Sequence, residues 1–444
     1  MIYSEAVGKL LSLRGGEQAG MRLGLERIEA LLEALDHPEK RFSIVQVGGT
    51  NGKGSVSVMA ASILKAAGLR VGLYTSPHLC SFRERIRVSS RAISREAVVE
   101  GVRELWPLIE PVDPTVFEAV TALALAHFAR ERVDLAVLEV GMGGRGDATT
   151  VGDPVVSVLS PIDFDHQAFL GWSLEEIAVE KAAIIRSGRG VAAAQAEVVT
   201  AALRRRAEAV GVPLWLEGAE LSARVLARDL SGQRLRLAGP GFTLDDLFLP
   251  LLGAFQPQNA LLAVAAVKAL AFAGIRVPET RIRDGLARVR WPGRFELVGR
   301  SPWVVLDGAH NPAGAQALAL SLRDAFGEQP KTVIVGVSRD KDKAGILKAL
   351  TPVASRLIVT ASRHPRATPP EELRAFLSPT EARVEMAHSV GEALSIALTP
   401  PRTPIICVTG SLFTVADVLT QSGGGGDIPC EIERGRDSVE SLFS

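Results

Sequence analysis

Short apolar runs rich in Val and Ile recur along this chain of 444 residues, and segments with helical spacing separate them. The spacing predicts helices over 56–67, 116–130 and 313–325. Alternation of this kind is typical of parallel sheets with helices on both faces, because a parallel crossover needs a long connection that a helix supplies. The sequence therefore predicts an α/β fold. The predicted strands are FSIVQV (42–47), RVGLYT (70–75), LAVLEV (135–140), VVSVLS (155–160), WVVLD (303–307), TVIVGV (332–337), RLIVTA (356–361) and PIICVTG (404–410).

The length predicts more than one domain, since a domain commonly takes about 150 residues. Pro292, Gly293 and Pro302 interrupt regular structure in the segment 290–300, just before a new strand–helix series. The segment 211–252 reads as short strands with Pro/Gly turns, which we expect to form an antiparallel edge. The predicted units are a first domain over 1–292, a second over 300–421 and a flexible Gly-rich tail over 422–444.

The charge balance excludes a chain built around attraction to polyanions. Lys plus Arg number 50 and Asp plus Glu number 50, so we expect neither nucleic acid nor a membrane surface as a partner. Cys80, Cys407 and Cys430 form no disulfide or zinc pattern. The most apolar helical segment, 260–275, is short for a membrane span and carries Lys268 at its centre. No signal peptide is visible, and we expect a cytoplasmic protein.

A glycine-rich turn follows the first predicted strand and precedes a helix. Such a turn directs backbone N–H groups and a helix N-terminus at an anion, and Lys53 would reach the phosphates of a nucleotide. The match to the Walker A pattern is imperfect, because Gly54 stands where Ser or Thr is expected. The alternative is a tight turn with a solvated Lys53. The candidate phosphate loop consists of Gly49, Thr50, Asn51, Gly52, Lys53, Gly54 and Ser55.

Polar residues follow three other predicted strands, where ligands bind in α/β sheets. Glu139 could hold Mg²⁺, which takes oxygen ligands; alternatively it is a buried glutamate paired with an Arg such as Arg145. His166 could be a ligand or base, or form a structural hydrogen-bond pair with Asp165. Ser76 could coordinate a metal ion or cap a turn.

Lys181 interrupts the apolar face of a predicted helix that begins after Ser173 and ends at Gly188. A buried lysine shifts toward its neutral amine, and a neutral amine can add CO₂ to give a metal-binding carbamate. The alternative is a snorkelling lysine or a salt bridge to a nearby Glu. The apolar stripe comprises Leu174, Ile177, Lys181, Ile184 and Ile185.

Several motifs, taken together, resemble the folylpolyglutamate synthase/dihydrofolate synthase family of the Mur ligase superfamily. GTNGKGS alone marks the superfamily, whereas YTSPHL, EVGMGGR and LDGAHN together are specific to the folate branch. Gly146 and Thr150 stand where the family usually has Leu and Asn. The matching stretches are LGLERIEALLEAL (23–35), GTNGKGS (49–55), YTSPHL (74–79), FEAVTALA (117–124), EVGMGGRGDAT (139–149), DFDHQAFLGWSLEEIAVEKAAII (163–185), PGRFE (292–296), LDGAHNP (306–312), DKD (340–342) and VTGSLF (408–413).

The resemblance implies an ATP-dependent amide ligase with a P-loop NTPase-like Mur ligase central domain and a smaller, Rossmann-like C-terminal domain. It implies two Mg²⁺ ions around Ser76, Glu139 and His166, and a carbamate on Lys181. Residues implied to contact nucleotide or glutamate are Lys53, Gln256, Asn259, Arg294, Asp307 and His310.

The implied reaction joins L-glutamate to a folate or dihydropteroate carboxylate through an acyl phosphate that ATP supplies. The sequence leaves open whether the enzyme adds the first glutamate, extends the polyglutamate chain, or does both. We expect the protein to be a monomer. One alternative is a peptidoglycan-type Mur ligase, which adds an amino acid to a UDP-linked peptide. Others are a P-loop NTPase that works as a switch or motor, and a non-catalytic nucleotide-binding protein.

Overall fold

The computed structural model of the chain describes residues 1–16, 22–377 and 381–421. The predicted tail over 422–444 and Cys430 lie outside these residues. The α-helices are α1 (Tyr3–Leu11), α2 (Glu26–Ala34), α3 (Lys53–Ala66), α4 (Arg95–Val112), α5 (Val116–Arg130), α6 (Gln167–Leu170), α7 (Leu174–Ala182), α8 (Glu197–Ala209), α9 (Gln256–Ala269), α10 (Glu279–Ala287), α11 (Pro312–Phe326), α12 (Lys343–Leu350), α13 (Pro370–Ala375), α14 (Val390–Leu398) and α15 (Leu412–Gln421).

Each of the eight predicted strands coincides with a strand of the structure, which confirms the α/β class. The strands are β1 (Ser43–Gly48), β2 (Val71–Tyr74), β3 (Ile86–Val88), β4 (Arg91–Ala92), β5 (Leu135–Glu139), β6 (Pro154–Leu159), β7 (Arg189–Ala192), β8 (Leu214–Leu216), β9 (Ser222–Asp229), β10 (Gly232–Gly239), β11 (Phe242–Leu249), β12 (Glu296–Arg300), β13 (Trp303–Leu306), β14 (Lys331–Val335), β15 (Arg356–Val359), β16 (Arg383–Met386) and β17 (Ile405–Thr409).

The first sheet has the order β4-β3-β2-β5-β1-β6-β7-β8. Strands β2, β5, β1, β6, β7 and β8 run parallel, and β3 and β4 add an antiparallel edge. Val45 and Val47 of the central strand enter the apolar cluster that contains α3 and α9. Ile44 enters the cluster of α2 and α5 on the other face. The strand is buried on both faces, which explains its mostly apolar sequence, interrupted by the buried Gln46.

The segment 211–252 differs from the prediction of an antiparallel edge. Only β8 joins the first sheet, and it does so in parallel; β9, β10 and β11 form a separate three-stranded antiparallel sheet. Leu235 and Leu237 alternate with exposed residues and pack into the cluster of α9. Burial of this one apolar face on a helix, rather than edge pairing, decides where the three strands lie.

The second sheet has the order β12-β13-β17-β14-β15-β16, and only β12 is antiparallel. Val305 packs toward α11 and α12, whereas Val304 and Leu306 pack toward α14 and α15. Strand β12 begins at Glu296, ahead of residue 300, where the second domain was expected to start. The domain limits themselves remain a prediction.

Helix α7 is shorter than predicted. Its start is confirmed, because the Ser173 hydroxyl accepts a hydrogen bond from the backbone N–H of Glu176 at 3.2 Å. Its end at Ala182 precedes the predicted stop at Gly188. The carbonyl of Ile184 accepts from the Ser157 hydroxyl at 2.8 Å, so a strand rather than the next helical turn satisfies it. Four residues of the predicted stripe are buried and Leu174 is partly buried, but the last two residues lie beyond the helix.

Among the described residues, no helix combines the length and apolar character that crossing a membrane requires.

Candidate active site

The predicted phosphate loop connects β1 to the first turn of α3, and two of its glycines have left-handed φ angles. Gly49 has φ of 130° and Gly52 has φ of 90°. A Cβ atom on Gly49 would lie 2.1 Å from the Ser160 hydroxyl oxygen, and one on Gly52 would lie 2.4 Å from Oδ1 of Asn259. Both the dihedral angle and the close approach therefore require glycine. The loop presents the N-terminus of a 14-residue helix to the adjoining space.

Lys53 folds back over this loop. Its Nζ donates to the carbonyl oxygens of Gly49 at 3.2 Å and Thr50 at 3.0 Å. Burial lowers the pKa of Lys53, and the nearby Glu139 carboxylate opposes that shift. A phosphate group would offer this ammonium a charged partner in place of two neutral carbonyl groups.

Two polar residues of α9 close the loop from the side. Asn259 is 2% exposed and donates through Nδ2 to Oε1 of Gln256 at 3.0 Å. Nε2 of Gln256 in turn lies 3.5 Å from the hydroxyl of Ser55 in the first turn of α3. The structure thus brings the two predicted nucleotide contacts onto the phosphate loop.

Glu139 and Ser76 are neighbours because Leu138 of β5 pairs with Tyr74 of β2. The backbone N–H of Ser76 donates to Oε2 of Glu139 at 3.2 Å. Burial raises the pKa of Glu139 to about 7, although Lys53 favours its ionised form. The predicted alternative, a pair between Glu139 and Arg145, is wrong: Nε of Arg145 lies 3.4 Å from Oε2 of Glu180 instead.

His166 lies at the N-terminus of α6 with φ of 51°. Its Nε2 is 3.9 Å from Oδ1 of Asp165, which is too long for a hydrogen bond. The predicted pair between the two side chains therefore does not form, and Oδ1 of Asp165 accepts from the backbone N–H of His166 at 2.9 Å and from Nζ of Lys341 at 2.7 Å. Burial lowers the pKa of His166 to about 4, so near neutral pH the ring keeps a lone pair for a ligand.

Lys181 is 3% exposed, and its Nζ donates to the carbonyl oxygen of Gly49 at 3.0 Å. Neither predicted alternative holds among the described residues: the amine is too buried to snorkel, and no ion pair involves it. Burial, reinforced by the positive charge of Lys53, lowers the pKa of Lys181 to about 7. A sizeable fraction of the amine is then neutral and nucleophilic at neutral pH.

The chain forms two lobes, one around the first sheet and one around the second sheet. The second lobe contributes residues that follow β13. Asp307 is 3% exposed and accepts from the backbone N–H groups of Phe295 and Ala309, both at 2.8 Å. Arg294 lies close enough to Glu139 and Asp307 to favour their ionised forms, against the effect of burial. Asp307 therefore anchors the segment that carries Arg294 opposite the first sheet.

His310 has a defined tautomer. Its Nδ1 lies 2.9 Å from the carbonyl oxygen of Gly308, which can only accept, so Nδ1 carries the proton. Burial lowers the pKa of His310 to about 4. Its Nε2 lone pair is therefore available near neutral pH.

A cavity of about 230 Å³ lies between the two lobes, and Ser76, His166 and His310 are among the residues that line it. The first lobe contributes Ser76 and His166, and the second contributes His310, Lys341 and Ser411. Its apolar wall is formed by Leu23, Phe117, Met142 and Ala148.

The two departures from the family pattern lie at this wall and behind it. A Cβ atom on Gly146 would lie 2.8 Å from the backbone nitrogen of Gly24, so the two chain segments meet closely here. Thr150 donates to the carbonyl of Gly144 at 2.6 Å and accepts from Gln46 at 2.8 Å. Gly146 thus lets the two backbone segments pack closely, and Thr150 connects the segment behind the wall to β1 by hydrogen bonds.

The donor set fits divalent metal ions. Ser76 offers a hydroxyl group, Glu139 a buried carboxylate and His166 a neutral imidazole, and a carbamate on Lys181 would add oxygen donors. Within the described part of the chain, no three or more His, Cys, Asp or Glu residues converge into a preformed metal cluster. Metal binding here depends on this mixed set.

Several polar residues that were not among the predicted site residues lie at the site. Asp165 and Lys341 meet across the lobes, and Asn311 of the second lobe contacts Asn51 of the phosphate loop. Asn311 and Lys341 fall within the family-like stretches LDGAHNP and DKD, which could have pointed to them. Arg366 also lines the cavity, and no sequence motif pointed to it.

The fold and the site together define a Mur ligase. Residues 47–267 match the Mur ligase middle domain, and residues 293–412 match the Mur ligase, glutamate ligase domain.

Curated relatives and solved structures then identify the family. The chain is 38% identical over 438 residues to the dihydrofolate synthase/folylpolyglutamate synthase of Mycobacterium tuberculosis, with 90% of each chain covered. A solved structure of the M. tuberculosis folylpolyglutamate synthase complexed with ADP and AMPPCP superposes with a TM-score of 0.87 at 35% identity, covering 96% of this chain and 100% of that one. The chain belongs to the folylpolyglutamate synthase/dihydrofolate synthase family.

A relative in Haloferax volcanii, a probable bifunctional folylpolyglutamate synthase/dihydropteroate synthase, is 38% identical over 442 residues. These cover 95% of this chain, but the chain spans only half the length of that relative.

Proposed function

We propose that this chain is an ATP-dependent ligase that joins L-glutamate to the carboxylate of a folate or a dihydropteroate. The observation that carries the proposal is the shared cavity, where Ser76 and His166 of one lobe face His310 and Lys341 of the other. Glu139 links this cavity to the phosphate loop, because it accepts from the backbone N–H of Ser76 and acts electrostatically on Lys53. This arrangement suits transfer between a nucleotide and a second substrate.

The chemistry requires activation of the acid, because hydroxide is a poor leaving group in amide formation. The γ-phosphoryl group of ATP passes to a carboxylate oxygen and gives an acyl phosphate and ADP. The amine of glutamate then attacks the acyl carbon, phosphate leaves, and the amine loses a proton.

The transfer brings several anions together, so its rate depends on positive charge placed beforehand. The loop from Gly49 to Ser55 offers N–H groups and a helix N-terminus to the phosphates, and Lys53 turns from its carbonyl partners toward them. Arg294 approaches from the second lobe, and Gln256 and Asn259 fix the nucleotide at the side. Two Mg²⁺ ions, held by Ser76, Glu139, His166 and carbamylated Lys181, would neutralise phosphate charge.

The second lobe orients the amine substrate. Because Nδ1 of His310 donates to the Gly308 carbonyl, Nε2 can accept a hydrogen bond from the glutamate ammonium group. Asp307 holds the chain segments on either side, which keeps Arg294 and His310 in register. These roles support a site that is complete only when both lobes are together.

The apolar wall suits a flat aromatic ring. Phe117 packs over Gly141, where a Cβ atom would lie 2.5 Å from the ring. Leu23, Met142 and Ala148 complete the wall, which would cover the pteridine or aminobenzoate part of the substrate.

We also propose that the chain has the organisation expected from the sequence. The chain is divided into a domain over 1–292 and one over 300–421. It works as a cytoplasmic monomer on small molecules and needs neither nucleic acid nor a membrane.

A phosphate-release assay tests the function. Dihydropteroate, tetrahydrofolate and a UDP-muramoyl peptide are offered separately with ATP, Mg²⁺ and amino acids. We expect phosphate release only when glutamate and a pteroate compound are both present. Release with the UDP-linked peptide, or with ATP alone, would contradict it. Comparing the two pteroate compounds shows which glutamate addition the enzyme performs.

A further inference from the structure

Four polar side chains form a seam between the two lobes. Asn51 belongs to the phosphate loop and Asp165 to the loop that carries His166; Asn311 caps α11, and Lys341 precedes α12 on the opposite lobe. We call this group, Asn51, Asp165, Asn311 and Lys341, the interlobe seam.

Asn311 is the centre of the seam. It is 3% exposed, and its Oδ1 accepts from the backbone N–H of Gly314 at 2.8 Å, which fixes the orientation of the amide group. Its Nδ2 therefore faces the first lobe and donates to Oδ1 of Asn51 at 3.0 Å and to Oδ2 of Asp165 at 3.3 Å. Nδ2 of Asn51 returns a hydrogen bond to Oδ1 of Asn311 at 3.2 Å.

Asp165 completes the seam from the first lobe. Its Oδ1 accepts from Nζ of Lys341 at 2.7 Å, and the two side chains are 11% and 12% exposed. Nε2 of His310 lies 3.8 Å from Oδ2 of the same carboxylate. Asp165 thus lies against three residues of the second lobe: His310, Asn311 and Lys341.

Separation of the lobes would break four hydrogen bonds at once and leave Asn311 with only its cap. An intramolecular hydrogen bond keeps a modest net advantage over the bonds to water that would replace it, and the advantage is larger when a charged group takes part. These four bonds therefore favour the joined arrangement. His310 directly precedes Asn311, and hence the seam also sets where His310 stands relative to the phosphate loop.

We propose that the interlobe seam positions His310 and the phosphate loop for reaction, with Asn311 and Asp165 as positioning residues. The inference rests on the proposed function, since it describes how the two halves of that site are brought into register. The seam residues act through His310 and the loop rather than on the reacting atoms.

Asn311→Asp tests the seam with little change in shape. The new carboxylate can still cap α11 by accepting from Gly314, because Asp is a good N-cap residue. It can no longer donate to Asn51 or Asp165, and it places a second negative charge beside Asp165. We expect kcat to fall about 10- to 100-fold, the factor for losing a buried hydrogen bond to a charged group. ATP-analogue affinity should change much less.

The double variant Asn311→Asp with Asp165→Asn should restore the pairing with donor and acceptor exchanged. We expect it to recover at least about tenfold in kcat over the single variant, roughly one charge-assisted hydrogen bond. The matched control is Ser389→Asp, which puts a carboxylate at the exposed N-cap of α14, away from the seam. It should retain wild-type kcat, and melting temperatures of all variants separate unfolding from mispositioning.

Two outcomes would contradict the proposed role of the seam. One is a wild-type kcat in Asn311→Asp, and the other is a double variant that is no more active than the single variant. Small-angle scattering with AMPPCP keeps this test apart from the proposed function. The radius of gyration should be larger for Asn311→Asp than for the wild type, whatever the acid substrate proves to be. Equal radii of gyration for the two proteins would contradict the positioning role of the seam. A wild-type enzyme that is inactive on pteroate compounds would contradict only the proposed function.

Discussion

Replacing Gly49 by Ala should cripple the phosphate loop while leaving most of the fold intact. The φ angle of 130° costs an L-residue about 1–3 kcal/mol. The added methyl group would lie 2.1 Å from the Ser160 hydroxyl oxygen and 2.8 Å from the Ser160 carbonyl oxygen. Relief of that overlap costs a further ~1–3 kcal/mol. The total destabilisation is therefore about 2–6 kcal/mol. It acts on a loop in which the carbonyl oxygen of residue 49 accepts hydrogen bonds from both Lys53 and Lys181.

The loop can escape the overlap only by moving away from Ser160, which disturbs the N–H groups that would hold phosphates. We therefore expect affinity for AMPPCP to fall by at least about 30-fold, the equivalent of 2 kcal/mol. Isothermal titration calorimetry measures the affinity, and urea denaturation measures the free energy of unfolding.

Gly68→Ala provides the matched control. Gly68 has φ of 90°, but nothing lies within 4 Å of the position its Cβ would take. The control thus carries the dihedral strain alone, far from the loop, and should bind AMPPCP normally. If Gly49→Ala binds AMPPCP as tightly as Gly68→Ala does, the geometric argument for the loop is wrong.

Three further predictions concern single side chains. Arg294→Ala should lower turnover far more than nucleotide affinity, because Arg294 comes from the second lobe. If kcat and ATP affinity fell by the same factor, the idea that the two lobes close to complete the site would be wrong. Lys181→Ala should be inactive and partly rescued by short-chain carboxylates, with Lys65→Ala, on the exposed end of α3, as an active control. An unmodified Lys181 in a high-resolution map at ample CO₂ would argue against the carbamate. Burial lowers the pKa of His127 in α5, so below about pH 6.5 the unfolded chain binds a proton that the folded chain resists, and stability falls with acidification. His127→Gln should show a smaller drop in melting temperature between pH 7.5 and 5.5, and an unchanged drop would exclude this contribution.

The strands were predictable because their sequence pattern is local. Five of the six residues of β1 are apolar or small, and a run of that kind has few alternatives to a buried parallel strand. The placement of β9 to β11 and the end of α7 were not predictable. Leu235 packs on a helix later in the chain, and the Ile184 carbonyl finds its donor on a strand earlier in the chain.

Residue types at the site could be anticipated from the ends of strands, but their partners could not. A glutamate such as Glu139 at a strand end predicts a ligand site, yet the sequence allowed Arg145 as its partner and the structure does not. Likewise, Asp165 stands beside His166 in sequence, but its closest cation, Lys341, is 176 residues away.

The amino-acid order alone determines the strand–helix alternation, the glycine turn before α3 and the place of Lys181 on the apolar face of a helix, because each depends on residues within a few turns of one another. Tertiary structure alone decided that the Lys181 amine meets the Gly49 carbonyl, 132 residues distant, and that Asn51 meets Asn311. Contacts of that range depend on how two sheets and their helices pack, and local spacing carries no information about that packing.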